Sequence, residues 1–187
     1  ERAKLLFNPT AAFPLATRLR AGGVPIGELF AFLSGLYFRG KLAYARAFAK
    51  PPRGAAGLLV ITPTRGLVDP DTLLTLDDMR EFAEVNIATQ SERFIEPLAR
   101  DAQALANVAK AAPAILLGSI ATDKYVGTLA AAFGERLRFP EEFVGRGDMS
   151  RGGLLLRSVR DSAELSYIPV SGAIRRGARP PRLVPIR

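Results

Sequence analysis

Neither histidine nor cysteine occurs among the 187 residues of this chain. That removes a Ser-His-Asp triad, a cysteine nucleophile, a structural zinc site and an iron–sulfur cluster from its chemistry. Acid–base work is left to Asp, Glu, Lys, Tyr or a bound water. A magnesium ion stays open as a cofactor, because Mg2+ takes only one or two carboxylates together with substrate oxygens. A chain without cysteine fits a reducing compartment, and a cytoplasmic protein is expected. Long apolar runs are missing too. The longest apolar patch, residues 24–38, is broken by Pro25, Gly27, Glu28 and Gly35, short of the roughly 20 apolar residues of a membrane helix. No signal peptide is visible and no membrane partner is expected. Lysine is scarce, confined to Lys4, Lys41, Lys50, Lys110 and Lys124, so arginine carries most of the positive charge.

What is present begins with a hydrophobic content of 48%, sufficient at this length for a packed core. The net charge is +8, from 26 Lys+Arg against 18 Asp+Glu. An Arg-, Ala- and Gly-rich composition arises equally from a GC-rich genome and from a surface that binds polyanions; clustering decides between them. The densest cluster, Arg175, Arg176, Arg179, Arg182 and Arg187, sits in a Pro/Gly-rich stretch without helical period. It reads as a loose basic arm.

Hydrophobic periodicity gives an alternating order of elements. Strand candidates are 4–7, 57–62, 85–87, 114–118, 136–139 and 165–170. Helix candidates are 12–21, 26–36, 41–48, 77–83, 91–111, 122–133 and 150–162, with Ser91 as an N-cap. The runs at 58–61 and 115–117 are continuous and apolar, as in strands buried on both faces. Alternation of this kind predicts an α/β protein: a three-layer sandwich with a mostly parallel central sheet and helices on both faces. Residues 1–170 are read as one such domain and 171–187 as a basic Pro/Arg-rich tail. In these folds ligands bind beyond the carboxyl ends of the strands.

Three polar segments follow predicted strands. Thr62-Pro63-Thr64-Arg65-Gly66 leads into Asp69 and Asp71. One reading makes it a proline-stiffened turn. The other makes Thr62, Thr64 and Arg65 ligand contacts, with Asp69 or Asp71 as acid–base or metal-binding groups. The second segment, 118–125, holds Ser119, Thr122, Asp123, Lys124 and Tyr125. Ser119 or Thr122 serves as a helix cap in the structural reading. In the functional one Lys124 holds phosphate or acts as a base when desolvated, and Asp123 supplies a carboxylate.

The third segment is the most informative: Gly145-Arg146-Gly147-Asp148-Met149-Ser150-Arg151-Gly152-Gly153. Its glycines permit tight turns and close backbone approach. Arg146 and Arg151 bring fixed positive charge, and the following helix offers unpaired N–H groups to an anion. Gly145, Arg146, Gly147, Ser150, Arg151 and Gly152 are therefore candidate phosphate contacts. Neither G-x-x-x-x-G-K-[ST] nor G-x-G-x-x-G fits, since the last glycine of the latter falls at Ser150. A fourth stretch, residues 37–46, mixes aromatics with basic groups as in single-strand binders. Phe30, Leu33, Tyr37 and Tyr44 fit ordinary amphipathic packing, the favoured reading, which leaves Arg39 and Lys41 as the possible contacts.

Tyr37-Phe38-Arg39, then Tyr44-Ala45, then Gly66-Leu67-Val68-Asp69-Pro70-Asp71-Thr72 resembles a group of uncharacterised bacterial and phage α/β proteins. In that group an aromatic-basic segment and Tyr-Ala precede a strand ending in a GLLDPDT-like motif. The likeness covers residues 36–76. Thr62-Pro63-Thr64-Arg65 replaces the group's SAK or SAR, and residues 145–153 have no counterpart there. The strand ending Ile61-Thr62-Pro63 is faintly similar to a core domain of archaeosine synthase, a tRNA-modifying enzyme. These resemblances imply a nucleotide-related α/β domain and leave catalysis open. The expected function is binding of a nucleotide, nucleobase or nucleic acid, with base modification or N-glycosidic chemistry as its catalytic form. The rivals are a non-catalytic nucleic-acid-binding module and a partner-binding scaffold, a homo-oligomer joined through residues 24–38.

Overall fold

A computed structural model describes residues 2–121, 123–174, 177–181 and 183. Eight α-helices are described: α1 (Arg2–Phe7), α2 (Pro14–Ala21), α3 (Ile26–Ser34), α4 (Leu36–Phe48), α5 (Leu76–Ala83), α6 (Glu92–Ala109), α7 (Val126–Phe133) and α8 (Asp148–Arg160). Between them run seven short strands: β1 (Val24–Pro25), β2 (Val60–Ile61), β3 (Leu67–Val68), β4 (Leu73–Leu74), β5 (Ala114–Ile115), β6 (Leu137–Pro140) and β7 (Tyr167–Pro169).

The strands do not assemble into one sheet. β1 pairs with β4 and β2 with β3, both antiparallel; β5 lies parallel to β6, and β6 antiparallel to β7. The expected three-layer sandwich with a mostly parallel central sheet is thus overturned: among the described residues the sheets hold two or three strands each. The runs at 58–61 and 115–117 are not neighbours. Val60 pairs with Val68 across a tight turn, whereas Ala114 pairs with Leu137. The turn closes locally because the Thr62 amide donates to the Gly66 carbonyl at 2.9 Å. The first run thereby finds a partner in its own continuation instead of across a long parallel connection.

The two runs also serve different cores. Val60 belongs to a cluster with Leu6, Leu19, Val24, Ile26, Leu29, Leu74 and Phe82. Leu116 belongs to a larger one with Tyr37, Tyr44, Phe94, Leu98, Leu129, Phe139, Phe143 and Leu155. Other expectations shift as well. Residues 4–7 are helical within α1, 85–87 form no strand, and the break between α3 and α4 falls at Gly35, whose φ is +64°. Ser91 occupies the N-cap of α6, but its side chain makes no capping bond. Helix α5 does have a capping box. The Asp78 amide donates to Thr75 Oγ at 3.3 Å, and the Thr75 amide donates to Asp78 Oδ2 at 2.6 Å.

Helices α4 and α8 form the most extensive helix pair. Glycine makes this possible. A Cβ on Gly40 would sit 2.8 Å from the Gly152 carbonyl oxygen, and one on Gly152 would sit 2.9 Å from both the Leu36 carbonyl oxygen and the Tyr37 Cα. Backbone meets backbone, so neither side can yield by rotating a side chain. Gly40→Ala and Gly152→Ala are each expected to destabilise the protein by about 1–3 kcal/mol, the usual cost of overpacking. Gly127→Ala, in α7 with open space around it, is expected to be neutral or to stabilise by up to about 1 kcal/mol. Urea unfolding midpoints of the three variants check this contrast.

Candidate anion-binding site

The close approach of α4 and α8 sets the positions of four side chains. On α4, Tyr37, Gly40, Lys41 and Tyr44 follow helical spacing along one face. On α8, Asp148, Arg151, Gly152 and Leu155 do the same. Gly40 and Gly152 touch, and the residues one turn away surround their contact: Tyr37 and Lys41 from α4, Asp148 and Arg151 from α8.

Tyr37 is buried, and its hydroxyl donates to the Leu117 carbonyl at 2.9 Å. Tyr125 closes the same side, donating to the Ser119 carbonyl at 3.0 Å. Gly118 leaves room beneath it: a Cβ there would lie 2.4 Å from the Tyr125 Oη, and the phenol would have to shift. The Arg151 side chain is only 12% exposed; its nearest carboxylate oxygen, on Asp148, is 3.8 Å away on a side chain 71% exposed. Arg151 donates through Nε and Nη2 to the Phe143 carbonyl at 3.3 and 3.2 Å, and lies 5.5 Å above the Phe143 ring. The Lys41 ammonium sits 4.0 Å over the Tyr37 ring. Among the described residues no carboxylate pairs with it. Two cations therefore share a half-buried seam with one loosely held, solvent-facing carboxylate.

The electrostatics follow from this packing. Burial pulls the Lys41 ammonium down to about 8; Asp148 opposes the shift and Arg151 adds to it. Burial pushes the Tyr37 phenol well above its ordinary value against the opposing charge of Arg151. The Tyr125 phenol rises for the same reason. Both phenols remain protonated donors, and the Tyr37 oxygen also faces the Arg151 guanidinium. Helix α8 begins at the Gly147 N-cap with no side chain capping it, and the exposed Asp148 and Met149 mark the end at which the seam meets solvent.

The sequence candidates divide into those that join this cluster and those that do not. Tyr125 and Arg151 join it, and Ser119 contributes its carbonyl. Gly152 takes part through helix packing. The Arg146 guanidinium is engaged internally, donating to the Glu142 carbonyl at 3.0 Å, to Ser150 Oγ at 3.2 Å and to the Pro181 carbonyl at 3.4 Å. Gly145, at φ +71°, packs so closely on the tail that a Cβ would fall 2.0 Å from the Ala178 carbonyl oxygen. The described part of the basic tail is thus irregular but seated on this loop, not a free arm. Arg175, Arg176, Arg182 and Arg187 lie outside the described residues, as does Thr122. Gly147 faces open space.

Thr62, Thr64 and Arg65 bond elsewhere. Thr62 Oγ donates to the Gly66 carbonyl at 3.1 Å and accepts from the Arg65 amide at 3.0 Å. Arg65 pairs with Asp78 and, at 2.6 Å, with Glu81, which also accepts from the Thr64 hydroxyl. Burial tends to raise the Asp78 carboxyl, but the Thr75 and Arg65 bonds hold it below the usual range; Thr64 and Arg65 hold Glu81 low. Arg65 thus meets two carboxylates and, among the described residues, Arg151 only one, at 3.8 Å. Asp69 accepts from the Asp71 amide at 2.8 Å, and Asp71 pairs with Arg46 at 2.8 Å on the surface. Asp123 is exposed, and its carbonyl accepts from Gln90 at 2.6 Å. Lys124 is half-buried next to Tyr125. Among the described residues no three acidic side chains gather as Mg2+ ligands, and no helix is long and apolar enough to cross a membrane.

Tyr37 and Phe143 were missed as site residues, and Lys41 was only a secondary candidate. A legible signal existed: Lys41 lies one turn after Tyr37 and one residue after Gly40, on a stripe otherwise destined for burial. Two surface depressions lie elsewhere, one lined by Gly54, Leu59, Leu67, Asp101 and Leu105, the other by Leu19, Gly22, Thr75 and Arg80. Comparison of the chain with family models, curated proteins and solved structures found no match in any of the three.

The depressed Lys41 value makes a stability prediction. Unfolded lysine titrates near 10.4, so between pH 8 and that value the unfolded chain binds more protons than the folded one. Stability then rises with pH in that window as the buried charge is relieved. Wild type is expected to gain stability relative to Lys41→Met between pH 7 and 9.5, read from urea midpoints at both pH values. Parallel pH dependence of the two proteins would remove the perturbed lysine.

Proposed function

We propose that this protein binds a phosphorylated ligand of the nucleotide class at the seam between α4 and α8. The observation that carries the reading is the imbalance of charge there: a largely buried Arg151 and a half-buried Lys41 against one exposed carboxylate. Holding two desolvated cations close together is unfavourable unless an anion joins them. The guanidinium fork suits phosphate oxygens, and the uncapped start of α8 lies in the same turn as Asp148 and Arg151. The nucleotide part of the reading rests on the resemblance of residues 36–76, whose motif here braces the scaffold. Base modification or N-glycosidic chemistry would have to proceed without Asp69 and Asp71, whose bonds lie away from this cluster.

Titration calorimetry with AMP and with inorganic phosphate tests the proposal. Lys41→Met, which breaks no hydrogen bond described in the fold, is expected to weaken AMP binding by about 1.5–3 kcal/mol, the contribution of one charged hydrogen bond. Binding to wild type should also weaken as salt is raised. Equal affinities of wild type, Lys41→Met and Arg151→Lys for AMP would place the ligand elsewhere. Absence of AMP and phosphate binding in wild type would end the reading.

A further inference from the structure

We propose that the C-terminal segment, through residues 177–181 and Leu183, is an autoinhibitory strap: it occupies the entry to α8 in place of the anionic ligand and is displaced when that ligand binds. The inference rests on the anion-binding reading and deepens it by adding a regulatory element at the same helix end. The strap crosses the loop before α8 at two glycines. A Cβ on Gly145 would lie 2.0 Å from the Ala178 carbonyl oxygen, and one on Gly177 would lie 2.4 Å from Val144 Cγ1. Further along, Arg146 Nη1 donates to the Pro181 carbonyl at 3.4 Å, and Leu183 Cδ1 lies 3.5 Å from where a Cβ on Gly153 would sit. The segment thus follows the loop from Val144 to Arg146 and then the early turns of α8.

Beneath the strap lies a cation held by neutral groups. Arg146 is half-buried, and among the described residues its acceptors are the Glu142 carbonyl, Ser150 Oγ and the Pro181 carbonyl. Arg151 donates to the next carbonyl along, that of Phe143. Two guanidinium groups therefore meet adjacent carbonyls at the entry to α8. The Pro181 carbonyl offers Arg146 a partial negative charge at the long end of hydrogen-bond distance. A phosphate oxygen offers a full charge and a shorter, stronger bond. The strap itself is weakly held. Gly177, Ala178, Arg179 and Pro181 are exposed, and Pro180 and Leu183 are only half-buried. None of these residues joins either hydrophobic cluster, so lifting the segment uncovers little apolar surface. Gly172, at φ +72° in open space, stands at its root as a pivot. A ligand shifts such an equilibrium only by binding one state better than the other, and the closed state withholds an Arg146 donor that the open state presents.

Two measurements on the intact chain test the strap. Trypsin cuts the Arg182–Leu183 bond, and its rate follows the open fraction when opening is fast. Saturating inorganic phosphate, compared with chloride at equal ionic strength, is expected to speed this cut about two- to tenfold, the equilibrium contribution of one ordinary hydrogen bond. The Arg53–Gly54 bond, in an exposed turn, serves as the internal reference for the protease. The second measurement is calorimetry with phosphate on Gly177→Val, which alters no residue of the α4–α8 seam. Its side chain meets Val144, a β-branched residue packed against the larger cluster that cannot swing aside, so the strap is forced off. Because coupling between two events is reciprocal, the variant is expected to bind phosphate more tightly by the same factor, with a urea midpoint close to that of wild type. Cleavage indifferent to phosphate, or equal phosphate affinity in the two proteins, overturns the strap and leaves the anion site standing. Slower cleavage in phosphate, or weaker phosphate binding by Gly177→Val, also overturns autoinhibition, because the segment then helps to hold the ligand. Failure of phosphate to bind either protein removes the anion site itself, and the role of the strap with it.

Discussion

The contact between Gly40 and Gly152 is the constraint from which the candidate site derives. With any side chain at either position the helices would have to separate, since the neighbouring atoms are backbone. Separation would move Arg151 away from Tyr37, and Lys41 away from Asp148. Gly152, whose small size invited a reading as close approach to a ligand, supplies close approach to another helix. The site is therefore a by-product of how tightly two helices pack, and not of a loop shaped around an anion.

Residues 66–72 perform a structural task. The carbonyls of Pro70 and Thr72 accept from the Gly27 and Ile26 amides at 2.8 and 2.9 Å, satisfying the start of α3. The Leu67 amide donates to Asp101 Oδ2 at 3.0 Å, tying the motif to α6. Gly66, at φ +62°, passes so near α6 that a Cβ would fall 2.2 Å from the same carboxylate oxygen. Residues 66–72 thus brace the smaller hydrophobic cluster against the larger one. Their carboxylates serve turns and surface pairs, which explains why a polar, aspartate-rich segment need not mark chemistry.

A second polar network fixes the far end of α4. Tyr44 lies 2.5 Å from the Tyr167 hydroxyl and accepts from the Leu165 amide at 2.8 Å. Tyr167 donates to Glu164 at 3.0 Å, and Glu164 pairs with Lys50 at 2.9 Å. Here every charge meets a counter-charge, as it does at Arg65. Tyr37 and Lys41 lie on the same face of the same helix but lack that balance. The difference between the two ends of α4 separates a structural polar cluster from a candidate binding site.

Composition and periodicity determined much by themselves. The absence of histidine and cysteine excludes whole classes of chemistry wherever the chain goes in space. The helices at 14–21, 92–109 and 148–160 lie close to where apolar spacing placed them, because an amphipathic face is a local property of sequence. Arg151 and Tyr125 were legible as binding candidates from a glycine-rich loop and from a polar segment that follows a predicted strand. Sheet pairing was not legible, because an apolar run such as 58–61 satisfies a hairpin as well as a parallel sheet, and only the competing partners decide. Nor could spacing reveal that Arg65 meets two carboxylates, that Arg146 and Arg151 bond mainly to carbonyls, and that Lys41 has no carboxylate paired with it among the described residues. That distinction depends on carboxylates and carbonyls brought from elsewhere in the chain, so only the tertiary structure could make it.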